Sequence, residues 1–274
     1  MPECIVRAIS NQKGGVGKTT ICQNLGAGLA KQGKKVLLID FDVQANLTQS
    51  MGCQMPDELP FTVSDVMRKI IEDEDFDPMS GIIDKGGGLS LLPANIQLSG
   101  IENSLVHVMN RERILKTYID KVRSSYDTIL IDCMPSLGML TINALTAADR
   151  VIVPIQAHFL SVKGLELLLH TVSKVKKQLN PDLNIEGIVL NMLDRRSNFT
   201  RDIIQLIREH FGSNLKVFRT EIPMSVRAIE AGAEGKSIFE HDPNGKTAQA
   251  FNALIREVTK NERQRKENKD IQLR

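Results

Sequence analysis

Short apolar runs alternate along this chain with longer stretches in which apolar residues recur at helical spacing. The runs at Cys4 to Ile9, Lys35 to Asp40, Leu89 to Leu92, Thr128 to Asp132, Arg150 to Pro154 and Ile185 to Asn191 are too short for helices and predict strands. Val36-Leu37-Leu38-Ile39 is apolar on both faces, the pattern of a central parallel strand covered on each side. Between the runs, 20–32, 64–71, 96–124, 160–179, 199–211 and 247–259 predict helices. In the first of these Ile21, Leu25 and Leu29 share a face and Gly33 stands at the C-cap. In the last, Ala250, Phe251, Leu254 and Val258 form the apolar stripe. Thr62 or Ser64 is placed to cap the second helix, and a further short helix follows Ile222 to Arg227. The alternation predicts an α/β fold, a mostly parallel twisted sheet with helices on both faces. A chain of 274 residues, 42% hydrophobic, is long enough for one large domain over 1–260, followed by a polar basic tail over 261–274.

Charge and cysteines narrow the setting. The formal net charge is only +2, and residues 191–274 carry 16 basic against 12 acidic side chains, so a basic footprint belongs to the last third. Cys4, Cys22, Cys53 and Cys133 are scattered with no C-x-x-C pair and no signal peptide precedes the first strand, which fits a reducing cytoplasm. The stretch from Val151 to Leu169 is interrupted by Gln156, His158, Lys163 and Glu166, and no apolar run reaches the roughly 18 residues of a membrane span. The first strand begins too early for a preceding DNA-reading domain. Residues 52–88, with the acids Glu72 to Asp75 and the turn Gly86-Gly87-Gly88, read as surface, the acids being a solvated face.

The chemistry concentrates between the first strand and the first helix, in Asn11-Gln-Lys-Gly-Gly-Val-Gly-Lys-Thr-Thr20. Gly14, Gly15 and Gly17 let the backbone curl so that successive amides, including those of Val16 and Thr20, face one point, and the helix N-terminus adds its positive end. Lys18 can reach the outer phosphates of a nucleotide, and the Thr19 hydroxyl is placed for the accompanying Mg²⁺. The second strand ends in Asp40-Phe41-Asp42-Val43-Gln44, bringing carboxylates to the edge where open α/β sheets bind ligands. The strand ending at Asp132 runs into Cys133-Met134-Pro135-Ser136, a Walker B strand with a loop behind it, and Asp132 would hold Mg²⁺ through water. There is no G-x-S-x-G or H-E-x-x-H, and His107, His158, His170, His210 and His241 are scattered.

The usual P-loop has a glycine where this chain has Gln12. Lys13-Gly-Gly-Val-Gly-Lys18-Thr-Thr instead resembles the deviant Walker A motif of the ParA/MinD family of ATPases, in which the additional lysine marks the group. The likeness covers Ile5 to about Val258 and lies nearest the compact, Soj-like ParA proteins. It implies ATP as nucleotide, a homodimer formed with ATP, nonspecific binding to double-stranded DNA, and release through a ParB-like activating partner. It also implies roles. Lys13 crosses the dimer interface as an arginine finger does elsewhere, Asp42 orients the attacking water, and Asn191, Pro223 and Ser225 lie near the adenine. Arg196 and Arg227 are candidates for DNA phosphates. Departures are Val43 and Met134, where relatives often carry proline, and Met224, where they often carry arginine. No guanine-reading Asn-Lys-x-Asp sequence is present. The rival expectations are a MinD-like membrane- or protein-tethered positioning ATPase, disfavoured by a tail lacking an apolar face, and a P-loop metabolic ligase, for which no separate substrate motif is visible. An iron–sulfur reductase lacks suitably placed cysteines.

Overall fold

The computed structural model describes residues 4–272 apart from Arg195, with the side chains of 159–163 and 261–272 outside that description. In chain order the elements are β1 (Ile5–Ile9), α1 (Lys18–Lys31), β2 (Val36–Phe41), α2 (Asn46–Ser50), α3 (Val63–Ile71), β3 (Ile83–Asp84), β4 (Leu89–Leu92), α4 (Leu98–Ser104) and α5 (Ile114–Val122). They continue with β5 (Thr128–Cys133), α6 (Met139–Ala147), β6 (Arg150–Ile155), α7 (Phe159–Gln178), β7 (Asn184–Leu193), α8 (Asn198–Phe211), β8 (Val217–Pro223), α9 (Val226–Ala233), α10 (Ile238–His241) and α11 (Lys246–Gln272). The strands form one sheet in the order β3-β4-β2-β5-β1-β6-β7-β8, and only β3 runs antiparallel to its neighbour.

The period of two along a strand explains why both sides are covered. Leu37 and Ile39 of β2, Ile129 and Ile131 of β5, and Val151 and Val153 of β6 belong to a core shared with α3 to α8. Their alternates, Val36, Leu38, Leu130 and Ile152, belong to a second core with α1, α10 and α11. Each such buried aliphatic side chain contributes about 1.5–3 kcal/mol. Within the sheet Arg7 of β1 and Glu186 of β7 make a fully buried ion pair at 2.7 Å. Register fixes the ligand edge: Ile9 lies opposite Asp132, and Asp132 opposite Asp40, so the loop after β1 and both acidic strand ends emerge together.

Several elements depart from the pattern read along the chain. The helix expected over 96–124 is two helices, because the chain breaks at Asn110, which adopts φ 54. The expected end at Thr259 is passed: α11 runs to Gln272, since 260–272 contains no Gly or Pro and is rich in the helix formers Lys, Glu, Arg and Gln. The side chains of the polar basic tail over 261–274 lie outside the described residues. Thr62 is the cap of α3, in a capping box with Asp65. No helix among the described residues is long and apolar enough to cross a membrane.

Candidate nucleotide site

β1 is an interior strand, and the loop that follows it opens α1 at the carboxyl edge of the sheet. Gly17, at φ 83, is the residue before the helix, and no described side chain caps that end. The first N–H groups of α1 are therefore available to an anion. Gly15 is also left-handed, at φ 71. For the loop amides to face inward its carbonyls must turn outward, and there they meet side-chain donors. Gln156 Nε2 donates to the Gly15 carbonyl at 2.9 Å, and Asn191 Nδ2 to the Val16 carbonyl at 2.8 Å. Asn11 accepts from the Lys13 N–H at 3.0 Å and donates to the Pro154 carbonyl at 2.6 Å.

Lys18 is 7% exposed, and its Nζ contacts the Lys13 carbonyl at 3.3 Å. Burial pushes its pKa down, opposed chiefly by the Asp132 carboxylate. Thr19 Oγ1 donates to Asp132 Oδ2 at 2.7 Å, while Asp132 Oδ1 is buried without a hydrogen-bond partner among the described residues. Burial first, and then the Asp40 charge, push the Asp132 carboxyl well above the ordinary range. A hydroxyl beside a carboxylate with an unmatched oxygen suits Mg²⁺, which takes few protein oxygens and completes its shell with phosphates and water. Thr19 and Asp132 are the residues that would hold it. Among the described residues no cluster of three His, Cys, Asp or Glu offers another metal site.

The second acidic strand end is built in two parts. Asp40 is fully buried and accepts from Thr48 N at 2.8 Å, Thr48 Oγ1 at 2.7 Å and Asp42 N at 3.3 Å. Thr48 Oγ1 in turn accepts from Ala94 N, tying β2, α2 and the segment after β4 together. Asp42 is 7% exposed, and its Oδ1 accepts from Gln44 N at 3.0 Å. Asp40 thus anchors the turn that carries Asp42.

The other residues singled out from the sequence fall behind the loop or along the far edge. Lys13 is half-buried in the loop. Asn191 is 1% exposed, and a Cβ at Gly17 would collide with its amide. Pro223 ends β8, and the next residue, Met224, donates its N–H to the Leu193 carbonyl at 3.1 Å. Ser225 caps α9, accepting from Ala228 N at 3.3 Å. Arg196, with a side chain 91% exposed, pairs with Asp194 at 2.9 Å, and Arg227, 65% exposed, pairs with Glu230 at 3.1 Å. Gln156, Asn11 and the anchoring role of Asp40 escaped the sequence reading. The signal for Gln156 was its place directly after the apolar strand Val151 to Ile155 on the ligand edge.

A polyphosphate chelated by a divalent cation would engage the loop amides, Lys18, Thr19 and Asp132 at once, the arrangement of a P-loop nucleotide hydrolase of the α/β class. The family model described as "AAA domain" matches residues 4–185, more than half of the chain. Sporulation initiation inhibitor protein Soj of Bacillus subtilis is 45% identical over 255 residues, 93% of this chain and 98% of that protein. Chromosome partitioning protein ParA of Caulobacter vibrioides is 40% identical over 262 residues, 95% of this chain and 96% of that protein. Among solved structures, cobyrinic acid a,c-diamide synthase from Mycobacterium smegmatis, with bound ATP analog and magnesium, superposes with a TM-score of 0.75 at 38% identity, covering 89% of this chain and 98% of that one. The chain belongs to the AAA-domain family and, within it, to the ParA/Soj-like ATPases, with ATP as substrate and Mg²⁺ as cofactor.

Proposed function

We propose that this ATPase is a cytoplasmic, nucleoid-associated partition or positioning switch that dimerises with ATP, binds duplex DNA without sequence preference, and is released when a ParB-like partner stimulates hydrolysis. The observation that carries this reading is the likeness to Soj along 98% of that protein's length. Residues 1–260 act as one domain and 261–274 as a tail.

Charge and placement support the roles at the phosphates, and the resemblance to the ParA/MinD family supports those of Lys13, Pro223 and Ser225. The Gly14 to Thr20 backbone and Lys18 hold the phosphates, and Asp42, anchored through Asp40, orients the water that attacks the γ-phosphorus. Bound through Thr19 and Asp132, Mg²⁺ supplies neutralisation of charge on the phosphate oxygens. Lys13 reaches the partner subunit's nucleotide and stabilises charge developing on the departing phosphoryl group. Pro223 and Ser225 line the adenine side. Arg196 and Arg227 leave Asp194 and Glu230 for DNA phosphates, an exchange that costs little because exposed ion pairs contribute only about 0–1 kcal/mol. Two subunits doubling the phosphate contacts make DNA affinity depend on the dimer.

A second reading, a protein-tethered switch, is favoured by one feature. Met224, Val226 and Ile229 are 64%, 69% and 69% exposed beside Arg227, making that edge more apolar than a phosphate-binding surface requires. The fold is shared with a P-loop synthase, yet the sequence holds no separate substrate motif for a metabolic ligase. Molar mass by light scattering with ATP, ADP or no nucleotide tests the switch. Mass should double with ATP alone, and Lys13→Gln should hydrolyse ATP at a rate no longer raised by dimerisation. A monomer in all three states would overturn the reading.

A further inference from the structure

Two side-chain carboxamides from outside the phosphate loop donate to its carbonyls. We propose that Asn191 and Gln156 are loop-positioning residues, their amides fixing the Val16 and Gly15 carbonyls outward so that the loop N–H groups face the phosphates. This rests on the nucleotide site and not on the proposal of DNA binding.

A ring of inward amides obliges the intervening carbonyls to point away from the ligand. At Val16 that carbonyl enters a dry place, since Val16 is fully buried and Asn191 is 1% exposed. A buried carbonyl left without a donor is costly, so the loop would otherwise rotate that peptide to reach one. Asn191 Nδ2 supplies the donor at 2.8 Å from a position 175 residues along the chain. The approach is close enough that only glycine fits at position 17 beside it. Gln156 does the same for Gly15 at 2.9 Å, and its Nε2 also lies 3.2 Å from the Met192 sulfur.

Met192 follows Asn191 with φ 53, a left-handed conformation uncommon for a residue with a long side chain. Its Cε lies 3.1 Å from where a Gly17 Cβ would be. This turn after Asn191 directs the Asn191 amide at the loop while Leu193 O receives Met224 N at the start of the exposed edge. The end of β7 therefore touches the phosphate loop through Asn191 and β8 through Leu193. Asn191 acts on the shape of the phosphate cradle through this hydrogen bond.

The test uses the full chain and the variants Asn191→Leu and Gln156→Met, which nearly keep the side-chain volume and remove the donor without adding charge beside the phosphates. Affinities for ATP, GTP and inorganic tripolyphosphate are measured by competition with a fluorescent ATP analogue, together with amide hydrogen exchange over residues 11–20 without nucleotide. Each variant should weaken all three ligands by the same factor, about tenfold or more. KM for ATP should rise by more than kcat falls, and exchange at the loop should accelerate while exchange in α5 and α6 stays unchanged. Loss confined to ATP, with tripolyphosphate affinity intact, would assign Asn191 to the base and overturn the proposal. Lower thermal stability with unchanged affinity and unchanged loop exchange in both variants would also overturn it.

Discussion

Thr19 Oγ1 donates to one oxygen of Asp132 at 2.7 Å, and the other oxygen of that carboxylate is buried with no hydrogen-bond partner among the described residues. The pair holds a cation-ready geometry at the expense of stability, because an unmatched buried carboxylate is poorly solvated. Asp132→Asn should therefore separate the two effects. Mg²⁺-dependent hydrolysis is expected to fall at least about 100-fold, while the melting temperature of the nucleotide-free protein stays equal or rises. A variant that keeps Mg²⁺-dependent turnover would remove Asp132 from the metal site.

Lys18 is a buried ammonium that makes a long hydrogen bond, 3.3 Å, to the Lys13 carbonyl. Its burial becomes favourable only when phosphate oxygens arrive. Lys18→Ala should lower ATP affinity by about 100-fold or more, a loss of about 3 kcal/mol typical of a desolvated charge pair, without destabilising the free protein. Calorimetric titration that finds ATP affinity unchanged would place the phosphates elsewhere.

Asp42 stands beside the loop on a turn fixed by Asp40, so Asp42→Ala should leave ATP binding intact and slow hydrolysis by about 100-fold or more. The dimer should then persist for as long as ATP does. Single-turnover measurement of phosphate release checks this, and normal release would exclude Asp42 from orienting the water.

Asp40 gives a pH signature. Burial is the largest influence on its carboxyl and pushes the pKa up to about 7, against the hydrogen bonds from Thr48 and Asp42. The folded protein therefore keeps this proton to higher pH than the unfolded chain. The associated stability is present at acid pH and is lost as pH rises from about 4 through 7, amounting to about 4 kcal/mol at the full shift. Urea melts of the nucleotide-free protein at pH 5 and pH 8 should show a fall of this sign, and Asp40→Asn should reduce it, leaving the part that the Asp132 carboxyl, raised in the same direction, contributes.

The interior strands were legible because burial on both faces leaves uninterrupted apolar runs, as in Val36 to Ile39. Strand β8 was not, since Val-Phe-Arg-Thr-Glu-Ile-Pro lies at the sheet edge and mixes Arg219 and Glu221 into the run. Helix α6, Met-Leu-Thr-Ile-Asn-Ala-Leu-Thr-Ala, is buried along most of its length and has no polar face to reveal its period. The loop motif gave the phosphate-facing groups, which are consecutive in sequence. Its supports could not be read the same way, because Gln156 and Asn191 stand 141 and 175 residues from the carbonyls they hold. Only the sheet order, which sets β6 and β7 beyond β1, brings them there.

The central claim is a nucleotide-controlled grip on DNA through the edge that carries Arg196 and Arg227. Its most direct test is binding of the full chain to a long duplex of arbitrary sequence with ATP, ADP or no nucleotide across a salt series, with Arg227→Glu in parallel. Binding with ATP alone, weakening steeply with salt and reduced in the variant while dimerisation survives, is the expected result. Absence of DNA binding in every nucleotide state would contradict the account and turn attention to a protein partner at Met224, Val226 and Ile229.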